Sequence, residues 1–144
     1  MAVSAYMYSN APLSIVNKEI DWNTDAIKVA LCTSAYTPDQ NAHNYYDDIT
    51  NELATAGGYT AGGAALGTPT QSTTLKVTTL NAADVAWTSA TFTARYAIIY
   101  DSTPATAATK PLIGYVDFGA DVSPVAGTLT ITWNASGIFT LTDE

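Results

Sequence analysis

The sequence predicts an all-β fold: an antiparallel β-sandwich or jelly-roll-like domain with one short N-terminal helix. Three observations carry this. Several short segments alternate apolar and polar residues with period two, as half-buried strands do. Gly, Pro, Asn, Asp and Ser clusters separate them at fairly even spacing, which suits a sandwich or barrel. Only one stretch, near the N-terminus, shows helical spacing instead.

Taken in order, residues 12–20 are the helix. Asn10 is placed to cap it, Pro12 suits a first turn, and Leu13, Val16 and Ile20 fall on one face. Residues 21–25 (DWNTD) are turn chemistry. Residues 26–33 (AIKVALCT) form a half-buried strand with Ile27, Val29 and Leu31 on its inner face. Residues 34–56 read as a polar, aromatic-rich loop, closed by a helical turn over 48–54. Residues 59–66 (YTAGGAAL) read as a strand that Gly62-Gly63 bends or bulges. Residues 68–74 are a Pro/Ser/Thr loop.

The second half is more regular. Strands are expected over 75–79, through Leu75 and Val77, and over 85–88 around Trp87. The longest is 91–100 (TFTARYAIIY), with Phe92, Ala94, Tyr96, Ile98 and Tyr100 on one face. Residues 101–110 are a loop, 112–118 (LIGYVDF) a strand and 119–126 another loop. Residues 127–133 (GTLTITW) alternate cleanly, placing Leu129, Ile131 and Trp133 inward. Residues 134–137 (NASG) make a tight turn, and 137–142 return as the last strand of a closing hairpin. The Asn134-Ala135-Ser136 triplet matches a glycosylation acceptor and is read here as turn chemistry. No repeat, linker or composition break divides the chain, so residues 1–144 are expected to form a single domain.

Composition narrows the function. Of 144 residues, 47% are hydrophobic and only 12% charged, and the net charge is −8. A free soluble domain usually carries ~25% charged residues. A surface made polar by Thr, Ser, Asn and Gln suits packing beside copies of itself or a partner, or a non-sticky extracellular exterior. It is equally what a Thr-rich β protein carries. With 13 acidic against 5 basic residues and no basic cluster, nucleic acid and anionic membranes are not expected partners. No apolar run approaches the ~20 residues of a membrane-spanning helix. Met1 to Asn10 lacks the features of a secretory signal. The sole cysteine, Cys32, excludes an intrachain disulfide and reads as an inert core thiol.

Candidate chemistry is sparse. Asp39, His43, Asp47 and Asp48 could hold calcium, although their spacing is not that of an EF-hand and one His is too few for a typical zinc site. A solvated acidic loop explains them as well. Asp117 and Asp121 flank Gly119 and suit a strand end. No nucleophile elbow, phosphate loop or dinucleotide fingerprint occurs. The expectation is therefore no enzyme, no cofactor and no metal. Aromatic residues gather in and beside the central loop (Tyr36, Tyr45, Tyr46 and Tyr59), with Trp22 and Trp87 elsewhere. Exposed aromatics stack on sugars or anchor protein interfaces; buried ones are core. Arg95, the only arginine, lies within the longest strand and can pair with a carboxylate or hold a neighbouring subunit. Tyr36, Tyr45, Tyr46 and Arg95 are the candidate interface residues.

Several segments taken together resemble a group of small structural, virion-associated proteins of tailed bacteriophages. These are GYTAGG (58–63), ARYAIIYD (94–101), LIGYVDFG (112–119) and GTLTITWNASGIFTLT (127–142), preceded by NKEIDW (17–22) and IKVALCTSAY (27–36). The likeness runs over nearly the whole chain in order, and it brings no catalytic residues with it. It implies a virion component made in the host cytoplasm. The acidic charge disfavours a DNA-facing inner wall, and no heptads or collagen repeats support a fibre shaft. The first expectation is a decoration or cement protein on the outer capsid surface, bound to the major capsid protein or other virion proteins. Such a protein would act as a homo-oligomer; a trimer would match local threefold points, although nothing in the sequence counts subunits. The alternatives are a tail-tip or fibre-associated module binding a host glycan, and a virion-associated polysaccharide hydrolase. Contacts are expected in the loop between Tyr36 and Tyr46 or in the segment 1–10, read as free of core duty.

Overall fold

A computed structural model describes residues 4–143. The fold is all-β and antiparallel, with one short helix. In chain order the elements are β1 (Ser4–Met7), α1 (Ala11–Val16), β2 (Ile27–Cys32), β3 (Ala64–Ala65), β4 (Thr70–Thr74), β5 (Val77–Asn81), β6 (Val85–Ala90), β7 (Ala94–Asp101), β8 (Leu112–Val122), β9 (Gly127–Ile131) and β10 (Phe139–Thr142). They build a five-stranded sheet in the order β1-β8-β7-β2-β3, a three-stranded sheet β10-β5-β4 and a two-stranded sheet β6-β9.

One face of the large sheet supplies Val29, Leu31, Ala97, Ile99, Val116 and Phe118 to a core. The small sheets close it with Leu80, Val85, Trp87, Ile131 and Phe139. This is the sandwich that the alternating segments predict. Gly114 lets the layers meet: a Cβ there would lie 2.2 Å from Phe139 Cζ. The opposite face buries Ala30, Cys32, Ile98, Tyr100 and Leu112 beneath Tyr8 and Tyr36. Strand β2 is therefore covered on both faces rather than half-buried as expected, with only Lys28 partly exposed along it.

The helix is shorter than predicted, and its face is inverted. It buries Ala11 and Ser14, while Leu13 and Val16 are 53% and 76% exposed. Small residues allow its backbone to lie close to the sheet. Lys18, at φ +62°, ends the helix. Glu19 N–H donates to the Ser14 carbonyl at 2.8 Å and Lys18 N–H to the Ile15 carbonyl at 3.1 Å, a Schellman closure. Ile20 thus reaches the core from beyond the helix. Asn10 makes no side-chain cap to the backbone; its amide donates to Ser14 Oγ.

Other boundaries move for local reasons. The segment 68–74, expected as a loop, contains the edge strand β4, exposed throughout and so without an apolar alternation to reveal it. Leu75 is the hairpin turn, at φ +55° and 95% exposed, and not the start of a strand. In the region expected as a strand over 59–66, only Ala64 and Ala65 join the large sheet, pairing with Val29 and Lys28, while Tyr59 bridges back to Ala56. The helical turn expected over 48–54 is a 3-10 turn at Tyr46–Asp48. The last two strands do not form a hairpin: β9 pairs with β6 and β10 with β5. The 134–137 turn, held by Gly137 N–H on the Asn134 carbonyl at 2.9 Å, carries the chain from one small sheet to the other. Nor is the N-terminal segment free of core duty. Residues 1–3 lie outside the described residues, but β1 pairs along β8 and Tyr8 is fully buried.

Candidate functional site

The sheet face opposite the sandwich core carries a row of tyrosines. Tyr6 on β1 is in register with Tyr115 on β8, which is in register with Ile98 on β7; Tyr96 on β7 faces Asp117. Period-two alternation brings these side chains to one face. The rings interlock. Tyr6 and Tyr115 stack at 5.1 Å between centroids, Tyr8 meets Tyr115 at 5.2 Å, and Tyr36 stands edge-on to Tyr96 at 5.9 Å. Such pairs prefer offset or edge-to-face contact.

One end of the row is closed. Residues from the loop between β2 and β3 lie over it, and the polar atoms beneath are paired in sequence. The Tyr8 and Tyr36 hydroxyls are 3.0 Å apart, and Tyr36 Oη is 2.8 Å from His43 Nδ1. Asp39 N–H also donates to Nδ1, at 3.2 Å, so that nitrogen carries no proton. Tyr36 therefore donates to His43, and Tyr8 donates to Tyr36. Alongside, the Glu52 carboxylate accepts from the Tyr46 hydroxyl, from the Tyr59 hydroxyl at 2.6 Å and from Gly62 N–H at 2.6 Å. Tyr46 stacks on Tyr100 at 4.3 Å, and Tyr100 donates to the Gly62 carbonyl at 2.7 Å. Burial pushes the Cys32 thiol up to about 12, and the Glu52 charge adds to this. A thiol so protonated is a poor nucleophile, in keeping with the inert reading from sequence.

The other end is open. Tyr6 is 42% exposed, Tyr115 and Tyr96 are half-buried, and the Arg95 guanidinium sits 5.4 Å from the centre of the Tyr96 ring. Arg95 Nε donates to Asp117 Oδ1 at 2.8 Å. The Arg95 partnership, with Gly119 N–H in support, holds the Asp117 carboxyl below the usual carboxylate range. Aromatic rings beside an arginine fixed in place are the composition of an interface anchor.

Of the four residues singled out from sequence, the structure brings only Arg95 to this open end. Tyr36 is 1% exposed and belongs to the core, so it has no surface for a partner. Tyr45 and Tyr46 are half-buried at the closed end. Tyr46 is committed to Glu52 and Tyr100, with the Lys110 ammonium 5.9 Å from its ring centre. The acidic candidates serve turns: Asp39 Oδ1 accepts from Asn41 and Ala42 N–H, and Asp48 Oδ2 from Asn44 and Tyr45 N–H. Among the described residues no three His, Cys, Asp or Glu side chains gather as a metal cage would need. Sequence reasoning missed Tyr6, Tyr96 and Tyr115. The available signal was Tyr6 and Tyr8, two apart in and just past a strand that was not recognised.

Compared with known proteins, the chain matches no protein-family model, no curated protein and no solved structure.

Proposed function

We propose that this protein is a non-enzymatic structural component of a bacteriophage virion, a decoration protein on the outer capsid surface that grips its neighbours through the open end of the tyrosine face. The observation that carries the binding role is the set Tyr6, Tyr115, Tyr96 and Arg95. Tyr6, on the edge strand, is pre-stacked on Tyr115, and Tyr96 lies under an arginine already oriented by Asp117. Pre-ordered aromatics lose little entropy on binding. The virion assignment rests on the segments that resemble phage structural proteins. The acidic, charge-poor composition agrees with an outer position among other virion proteins, and a homo-oligomer would give weak contacts multivalent strength.

The test is incorporation into particles. Immunogold label should decorate heads, and the Tyr6→Ala and Arg95→Ala variants should lose particle association about tenfold or more while melting near the wild type. Label confined to the tail, or no protein on purified particles, overturns the head assignment. The exposed Tyr6–Tyr115 stack also favours a second reading, a glycan platform, because sugars stack on aromatic faces. Retention on a glycan array, lost in Tyr6→Ala, would select it.

A further inference from the structure

The turn before β2 and the loop after β7 meet at one corner of the large sheet, where Ile27 stands in register with Asp101. Their backbones are laced together. Ser102 N–H and Oγ both donate to the Ala26 carbonyl, at 2.9 and 2.6 Å. Ala26 N–H donates to Thr103 Oγ1 at 2.8 Å. Inside this lacing Asp101 is fully buried. Its Oδ1 accepts from Thr103 N–H at 2.8 Å, and its Oδ2 has no hydrogen-bond partner. The side chains within reach of this carboxyl are the Thr103 hydroxyl and another carboxyl, that of Asp25, whose Oδ2 accepts Asp21 N–H at 2.6 Å.

A buried oxygen that faces a second carboxylate with no donor costs several times an ordinary hydrogen bond. Either a cation or a proton would relieve it. Two carboxylates supply at most four of the six to eight oxygens that calcium takes. Of the adjoining turn carbonyls, that of Ala26 already accepts two hydrogen bonds from Ser102 and that of Asp25 one from Ile27 N–H. A proton needs only one oxygen from each side. The surrounding elements bring no compensating cation. Just before β8, the Pro111 carbonyl accepts Asp101 N–H; Lys110, next to it, sits over the Tyr46 ring. On β2, Lys28 stands in register with Tyr100, and β3 is Ala64 and Ala65.

We propose that the buried Asp101 carboxyl holds a proton that it donates to the Asp25 carboxylate, a carboxyl–carboxylate clasp that closes this corner on acidification and loosens it when Asp101 ionises. The clasp spans the root of the turn that carries Trp22, whose indole N–H donates to the Asn81 carbonyl at 3.0 Å, so the corner is tied to β5. Desolvation, helped by the neighbouring Asp25 and opposed by Thr103, raises the Asp101 carboxyl from 3.8 to about 6. The folded state thus holds more protons than the unfolded chain between these values. The stabilisation is fully present below the unfolded value and is lost as pH rises through the folded one.

Carbon NMR of aspartate-labelled protein tests this directly, with thermal melts at about pH 5 and pH 8 in EDTA and in millimolar calcium. One carboxyl should titrate near 6 and vanish from the spectrum in Asp101→Asn. That variant should melt higher than wild type at the alkaline end, and its gain on acidification should shrink. Asp47→Asn, which removes an exposed charge, should track the wild type. If Asp101→Asn does not fold, Asp25→Asn serves: its amide can donate to Asp101 and should pull that midpoint toward the ordinary aspartate range. The clasp is overturned if every aspartate titrates in that ordinary range. It is equally overturned if calcium raises the wild-type melt at pH 8 in place of acid.

Discussion

Tyr8 and Tyr36, 28 positions apart, join hydroxyls at 3.0 Å in the interior of the protein. The bond has a direction, because Tyr36 passes its own proton on to His43 Nδ1 at 2.8 Å. It fastens the end of β1 to the loop after β2 and closes one end of the tyrosine face.

The direction makes the two tyrosines unequal. Tyr36→Phe leaves both the Tyr8 donor and part of the His43 acceptor unpaired in a buried site, and should cost about 1–3 kcal/mol. Tyr8→Phe removes a donor and spares the Tyr36–His43 bond, and should cost about 1 kcal/mol. Urea melts of the two variants and of the double variant decide the point. A larger loss for Tyr8→Phe would reverse the direction assigned here.

Alkali should reveal the same buried set. Burial pushes the Tyr36 and Tyr100 hydroxyls up to about 12, and those of Tyr8, Tyr46 and Tyr59 higher still. An unfolded chain ionises its tyrosines near 10. The stabilisation these groups confer is therefore intact below about pH 10 and falls away as pH rises through their folded values. Phenolate absorbance should show a late, steep phase that coincides with loss of β-sheet circular dichroism. Complete ionisation near pH 10 with the fold intact would contradict this.

Adjacent glycines offer a sharp comparison. Gly63 has φ +80°, and a Cβ there would lie 2.0 Å from the Val29 carbonyl oxygen of the paired strand. Gly62 has φ +94°, but its nearest contact would be the Tyr100 hydroxyl at 3.8 Å. Gly62→Ala should cost only backbone strain, about 1–3 kcal/mol. Gly63→Ala adds a backbone collision and should cost about 3 kcal/mol or more. Equal losses in denaturant melts would mean that β3 yields freely and does not pin β2.

The readable parts of the sequence were those where apolar residues alternate along a strand. The 127–133 alternation located β9, and Ile27, Val29 and Leu31 located β2. What alternation does not encode is the partner, which is why β9 and β10 were expected to form a hairpin and instead join separate sheets. Strand β4 escaped because both its faces meet solvent. The helix misled because three apolar residues at helical spacing imply a buried face only if the helix reaches all three, and Lys18 stops it short of Ile20. Tyr36 was legible as an aromatic in a polar loop but not as buried, since its burial depends on Tyr8 and His43 folding against it from elsewhere in the chain. Arg95 was legible as strand-borne and ready for a carboxylate; that the carboxylate is Asp117 follows from the β7–β8 register.

Trp133 tests the register of β9. Sequence alternation placed it inward with Leu129 and Ile131, and the structure keeps that sense: Ile131 is 7% exposed, while Leu129 and Trp133 are partly buried against the same core. Trp133 lies just past the strand. Its indole N–H donates to the Ala83 carbonyl at 3.0 Å and its backbone N–H to Asp84 Oδ1 at 2.9 Å. A fully buried Trp→Ala change costs roughly 3–5 kcal/mol, so partial burial reduces the expected loss to about 2 kcal/mol. Trp133→Phe keeps most of the packing and gives up the indole bond, for about 1 kcal/mol. Urea melts should rank Trp133→Ala below Trp133→Phe in stability, and both below the wild type. A loss near zero for Trp133→Ala would mean that this side chain faces solvent and that β9 is shifted by one residue against β6.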